Sequence, residues 1–319
     1  MKPRLYPILI AALCAPLIAL AQSTGGIRLL TGFVPGASGD AMARAIAEKM
    51  RASLGEAVIV EPRAGASGRI AMDLLKAARP DGKTINLTSL TPLTAFPWLY
   101  TKLSYDPFKD FEPVASVAQF KYVFAVTPEV KAGNLAEFAA LVKGNNKYGF
   151  YSSPSQGGGA HLAVEAFARA AQISMTYVGY KGSANAITDM LGSQLPAMIG
   201  NAADFVELTQ RGKLKVLGVA SDDRSRHLPQ VATFKEQGYD IAASGWFAMY
   251  VPAKTPTASI ARLAKAIIDG VNEPDVKALG DRLGLEVTGL GPNELALMQK
   301  KEYDLTGSRF KAFGFKPED

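Results

Sequence analysis

Ile27-Arg28-Leu29-Leu30-Thr31-Gly32-Phe33-Val34-Pro35-Gly36-Ala37-Ser38-Gly39-Asp40-Ala41-Met42-Ala43-Arg44 passes from an apolar run through a glycine-serine turn into a helical pattern. The tetrapeptide Gly-Ala-Ser-Gly at its centre, residues 36–39, returns at residues 65–68. The second copy also follows an apolar run (Ala57-Val58-Ile59-Val60-Glu61-Pro62) and precedes a helix-like stretch (Arg69-Ile70-Ala71-Met72). A turn of this kind leaves backbone N–H groups unpaired at a helix start, with the positive end of the helix dipole behind them. Anions bind there. Two such turns in consecutive β–α units fall at one edge of a parallel sheet, where open α/β folds take their ligands. The pair predicts a small-anion pocket made mostly of backbone.

The same alternation continues outward. Apolar spacing predicts helices over residues 40–51 (Met42, Ile46, Met50), 68–78, 134–143, 161–171 and 183–191. Strand-like runs lie at 84–88, 148–151, 174–178, 195–199 and 214–220. Asn134 reads as an N-cap, and Gly144 and Gly192 as helix stops. Strands alternating with helices give an α/β fold with parallel sheets. Residues 111–127 and 242–251 break the rhythm, being extended and apolar with no helix inserted. Long strands bridging two sheets would read this way. The expected architecture is two Rossmann-like lobes joined by two crossing strands, with a ligand cleft between them. Residues 22–123 and 240–319 form a discontinuous first lobe, completed by helices around 259–271, 274–283 and 293–310; residues 124–239 form the second.

The start of the chain reads as a leader. Lys2 and Arg4 precede an apolar run over residues 5–20, and Ala19-Leu20-Ala21 suits cleavage, so residues 1–21 are expected to be a signal peptide. Cys14, the sole cysteine, lies inside it; Leu13 before it and apolar residues after it argue against lipidation. The exported chain then has no thiol, disulfide or thiolate metal site. Losing Lys2 and Arg4 takes the formal charge from +6 to +4. The remaining cations are scattered without stacking aromatics, which excludes a nucleic-acid surface, while a mild positive field suits an anionic solute.

The second lobe carries its own candidate anion turn. Tyr151-Ser152-Ser153-Pro154-Ser155-Gln156-Gly157-Gly158-Gly159 follows a strand and opens a helix at Ala160-His161-Leu162, and Tyr180-Lys181-Gly182-Ser183 precedes the next. Glycines let a ligand approach the backbone and serines add hydroxyl donors. With turns from both lobes, four or five charge-assisted bonds of roughly 1.5–3 kcal/mol each would give micromolar binding without a buried Arg. Neither Gly-Ala-Ser-Gly copy makes a dinucleotide fingerprint or a P-loop. His161 and His227 lack metal-ligand spacing and read as structural. The 153–157 stretch falls one glycine short of a nucleophile elbow; a secreted serine hydrolase would use Ser155 with His227 as base. Asp40 reads as a helix N-cap, Lys181 equally as a partner for an anionic ligand or as a solvated lysine, and Phe33 and Trp246 as core or cleft wall.

These motifs together resemble the extracytoplasmic solute receptors of tripartite tricarboxylate transporters, the Bug-type periplasmic binding proteins. Residues 32–44 are similar to that family's first ligand loop, and Val60-Glu61-Pro62-Arg63-Ala64-Gly65-Ala66-Ser67-Gly68 to its V-E-N-R-x-G-A-G-G segment. Pro80-Asp81-Gly82-Lys83-Thr84, Leu103-Ser104-Tyr105-Asp106-Pro107, His161-Leu162-Ala163, Tyr180-Lys181-Gly182, Gly212-Lys213-Leu214 and Gly245-Trp246 keep the family's order. The resemblance implies a monomeric periplasmic protein, not an enzyme, whose lobes close on a small carboxylate, di-, tri- or aromatic, and deliver it to membrane permease subunits. A receptor feeding a sensor protein is the neighbouring alternative. It implies no cofactor, no metal and no catalytic group. The ligand-binding residues it implies are Phe33, Gly36, Ala37, Ser38 and Ser67 in the first lobe. In the second they are Ser153, Ser155, Gly157, Gly158, His161 and Asn201. Departures include Val34, Ala37, Pro154, Gly158 and Gly179. Gly200 stands where many members carry Asp, so the resemblance also implies a ligand without an ammonium group.

Overall fold

The computed structural model describes residues 26–180, 182–314 and 317; the expected leader with Cys14, and Lys181, lie outside them. The first part of the chain folds as β1 (Ile27–Thr31), α1 (Ser38–Leu54), β2 (Val58–Pro62), α2 (Arg69–Lys76), β3 (Thr84–Ser89), α3 (Thr91–Thr94) and α4 (Phe96–Leu99). A long strand β4 (Phe111–Val126) then leads to α5 (Leu135–Gly144), β5 (Phe150–Ser152), α6 (Gly159–Ala171) and β6 (Thr176–Tyr177). Next come α7 (Ser183–Leu191), β7 (Ala197–Asn201), α8 (Ala202–Gln210) and β8 (Lys215–Ala220). The chain ends with β9 (Ser244–Pro252), α9 (Thr257–Asn272), α10 (Pro274–Arg282), β10 (Glu286–Val287) and α11 (Pro292–Phe313).

The strands make one continuous curled sheet in the order β2-β1-β3-β9-β4-β7-β5-β6, with β8 and β10 also on β4. Its two halves meet along β4. Residues Phe111 to Lys121 pair antiparallel with β9, and Tyr122 to Val126 pair with β7 and β8. The first half is parallel in β2-β1-β3 and the second in β6-β5-β7. β4 is apolar on both faces because helices cover both sides, so its pattern is a run and not an alternation. Pro113, which has no N–H to give the ladder, sits where the register slips against β9. β9 bonds in the first half alone; the return crossing is continued by Ala243, whose N–H donates to the Ala220 carbonyl at the end of β8.

One apolar core spans both halves, from Ile27, Met42 and Ile267 to Phe138 and Phe167. The opposite face of the first half is covered by Leu75 of α2, Leu93 of α3 and Leu295 of α11, and that of the second by Met190 and Phe205. Asn134 caps α5 as expected, accepting the Glu137 N–H at 2.8 Å. Among the described residues no helix is long and apolar enough to cross a membrane.

Candidate functional site

The two Gly-Ala-Ser-Gly turns lie back to back. A methyl on Gly32 would come 2.6 Å from the Gly68 Cα, so only glycine permits the approach. The first turn brings α1 out at Ser38, with Ala37 as the N-cap residue. Asp40 is therefore not the cap expected from the sequence. Its buried carboxylate accepts from the Gly36 N–H (3.0 Å) and from the Arg44 guanidinium (3.0 and 3.1 Å), locking the turn from inside the helix. That bond removes the Gly36 N–H from the donors the turn was expected to offer. The N–H groups of Ser38 and Gly39 have no acceptor among the described residues. Phe33 packs edge-on against Phe247, at 4.9 Å between centroids, and over Gly39.

The second turn is strained. Gly65, Ala66, Ser67 and Gly68 all have positive φ, at 135°, 44°, 51° and 94°. Ala66 and Ser67 pay a Cβ penalty of about 1–2 kcal/mol each, and Ser67 is left exposed at the tip. Beneath this turn Glu61 joins Arg28 and Arg63, and the Arg28 hydrogen bonds hold its carboxyl down to about 2. Arg69, the first residue of α2, lies over the Tyr100 ring at 4.5 Å.

The 153–159 turn of the second half reaches across to the first. Ser155 Oγ is 3.2 Å from Thr91 Oγ1 of α3. A methyl on Gly157 (φ +68°) would meet Leu99 of α4 at 3.0 Å and Phe310 of α11 at 3.1 Å. Leu162 of α6 joins Phe96, Leu99 and Phe310 in an apolar cluster across the same boundary. Ser153 is buried and donates to the Ser155 carbonyl. Thr91 was not singled out from the sequence; a lone threonine after a strand gives no signal until its partner is known.

His161 faces its own turn. Its Nδ1 accepts the Gly157 N–H at 2.7 Å, and its ring stacks on Tyr177 at 4.5 Å. Its Nε2 lies 3.6 Å from Glu165, whose carboxyl is raised by burial but brought net lower by the His161 and Tyr151 hydrogen bonds. Gly158 caps α6 without a side-chain bond, and its N–H donates to the Ser155 carbonyl. Asn201 ends β7, half-buried, with no hydrogen bond from its amide among the described residues. Three residues on, burial pushes the Asp204 carboxyl up to about 6. The argument from Gly200 fails: a side chain there would meet the Phe205 ring at 2.8 Å within the core, so the position says nothing about an ammonium group.

The hydrolase arrangement is not assembled. Ser155 is engaged with Thr91, while His227 accepts from Arg226 Nε at 3.2 Å, so nucleophile and expected base are not joined. A hollow of about 660 Å³ lined by Asn134, Thr209, Leu214 and Gln237 opens near Lys215, the end of β8 remote from the crossing at Ala220. The turns do not contribute to it.

The sequence profile of the tripartite tricarboxylate transporter family receptors matches residues 42–309. The chain belongs to that receptor family. It is 33% identical over 268 residues to Protein BugT of Bordetella pertussis, covering 83% of this chain and 82% of that protein. Its fold matches that of the periplasmic binding protein BugD with a TM-score of 0.85 at 29% identity, over 92% of this chain and 99% of that one. It also matches MatC from Rhodopseudomonas palustris, solved with bound malate, at a TM-score of 0.83 and 25% identity, over 89% and 98% of the two chains. The receptor is thus an α/β protein of the periplasmic-binding type, and its family consists of solute receptors.

Proposed function

We propose that this receptor captures a small carboxylate in the crevice between its two halves and delivers it to the membrane permease of a tripartite tricarboxylate-type transporter from the periplasm. The observation that supports the reading is the facing of turns across the boundary, with Ser155 of one half against Thr91 of the other. Bare main-chain donors stand nearby on both sides, at Ser38 and Gly39 in one half and at Gly159 and Ala160 in the other. Fixed N–H dipoles at helix starts favour a carboxylate without needing a cationic side chain. The malate held by MatC supports the same ligand class.

In this reading residues 22–123 with 240–319 and residues 124–239 are the two lobes, residues 1–21 are a cleaved leader, and the mature protein acts as a monomer. Phe33, Ser38 and Ser67 contact the ligand from one lobe and Ser153, Gly158 and Asn201 from the other. Ligand touching both lobes favours the closed state by the contacts made only there. A thermal-shift screen of mono-, di- and aromatic carboxylates on the leaderless protein tests it. A rise in melting temperature with at least one acid is expected, and no rise with any at millimolar concentration would end the proposal.

A further inference from the structure

Tyr122 is the residue at which β4 changes partners. Lys121 before it pairs with Ser244 of β9, and Tyr122 itself pairs with Asn201 of β7 and Ala220 of β8. Register partners of an antiparallel pair put their side chains on one face, so the phenol and the Asn201 amide stand side by side. The Tyr122 side chain is about nineteen-twentieths buried, at 5% exposure, yet its hydroxyl makes no hydrogen bond among the described residues. The oxygen is not among the fully enclosed unpaired side-chain atoms, so it reaches an opening, and a phenol held with its O–H free in a wall of packed rings asks for an explanation.

Its surroundings supply one. The ring edge lies 3.6 Å from where a side chain on Gly159 would begin, and the hydroxyl 2.8 Å from the same point on Gly245. Gly159 is the first residue of α6, a thirteen-residue helix whose cap position, Gly158, supplies no side chain. The N–H groups of Gly159 and Ala160 have no acceptor among the described residues. Gly245 lets the Phe120 ring and the phenol oxygen pack where a side chain would stand, and Gly159 leaves ordinary room beside the Tyr122 ring at an uncapped helix start.

We infer that Tyr122 is a ligand-reading residue, its phenol O–H donating to a carboxylate oxygen held at the start of α6, with Asn201 beside it. Burial, and Glu302 of α11 nearby, push the phenol above its ordinary range, so it remains a donor at any physiological pH. Burial also raises Glu302, against the pull of Arg309 and Lys301. The aromatic row Phe33, Phe247, Phe120 and Tyr122, with centroids 4.7–5.5 Å apart, leads from the first-lobe turn to this point and gives an apolar floor. A guest with an acidic end and a carbon body fits that sequence of surfaces.

The inference rests on the carboxylate-receptor reading, and the test separates the two. The wild-type protein, Tyr122→Phe and Asn201→Ala are titrated with acetate, succinate, malate, adipate and benzoate, and their unliganded melting temperatures are recorded. Tyr122→Phe keeps the ring packing. It is expected to weaken the best of these acids about tenfold or more, as for a hydrogen bond to a charged group, while unliganded melting stays the same or rises. The double variant should lose less than the product of the single losses, because both groups address one carboxylate. Equal affinity in Tyr122→Phe and wild type overturns the inference and leaves the receptor reading standing. A loss of melting temperature in Tyr122→Phe also overturns it, since the hydroxyl would then serve the fold. Should no acid bind the wild type, both readings fall.

Discussion

Thr91 Oγ1 and Ser155 Oγ lie 3.2 Å apart, 64 residues separated in sequence, and their hydrogen bond joins the first half of the molecule to the second. Thr91 opens α3 directly after β3, and Ser155 stands in the turn between β5 and α6, so each is carried by the end of a strand. If this bond forms only when the halves are together, it contributes to the closed state alone. Thr91→Val keeps the shape and removes the hydroxyl. It is expected to weaken carboxylate binding about two- to tenfold, the net worth of one neutral hydrogen bond, through faster release. Stopped-flow dissociation checks this; an unchanged release rate would show that the bond has no part in closure.

Gly157→Ala should be far more damaging than its size suggests. The position has φ +68°, and the added methyl would meet Leu99 and Phe310 at 3.0 and 3.1 Å. The backbone penalty and overpacking together should lower stability by about 2–4 kcal/mol. Urea unfolding measures this directly. A change below about 1 kcal/mol would mean the turn does not hold its docked position.

The alternation of strands and helices was legible from residue spacing, and so was the long strand over residues 111–127, which serves both halves of one continuous sheet and does not bridge two separate ones. Other elements were hidden for identifiable reasons. The helices α3 and α4 carry Pro92 and Pro97 in their first turns and so read as irregular chain. α8 begins where the expected strand 195–199 slides on to Asn201, and its short run of Ala202-Ala203-Asp204-Phe205 gives little periodicity. Among the anion turns, the glycines were visible but their own internal bonds were not. Asp40 and His161 each reach back four residues to take an N–H, from Gly36 and Gly157 respectively. Both residue types suggested caps or ligand contacts, and which N–H groups remain depends on side-chain directions that spacing does not set. Tyr122 was submerged in an apolar strand, where a phenol looks like core.

Asp40→Ala should unfasten the first turn. The carboxylate serves one backbone N–H and one guanidinium while buried, and its removal strands the Gly36 donor. A loss of about 2–3 kcal/mol in stability is expected, together with weaker ligand binding, because the Ser38 and Gly39 donors lose their fixed direction. Calorimetric melting with and without ligand separates the two effects. Asp40→Asn, which keeps one acceptor, should restore part of both.

Acid stability should depend on Glu61. Its folded-state value of about 2, held there first by Arg28, lies below the ordinary carboxylate value of 4.5. A depressed carboxylate stabilises above its unfolded value, and that contribution fades as pH falls from about 4.5 to about 2. Glu61→Gln should therefore lower the melting temperature at pH 7, with the gap to wild type closing across this window. A gap that stays constant down to pH 2 would mean that Glu61 gains nothing from Arg28.

The most direct trial of the account is a calorimetric titration of the leaderless protein with its best carboxylic acid and, separately, with the uncharged amide of the same carbon skeleton. Helix-start donors converging from two halves should take the acid with micromolar affinity and leave the amide without measurable heat. Equal binding of acid and amide, or binding of neither, would contradict a crevice built to hold negative charge.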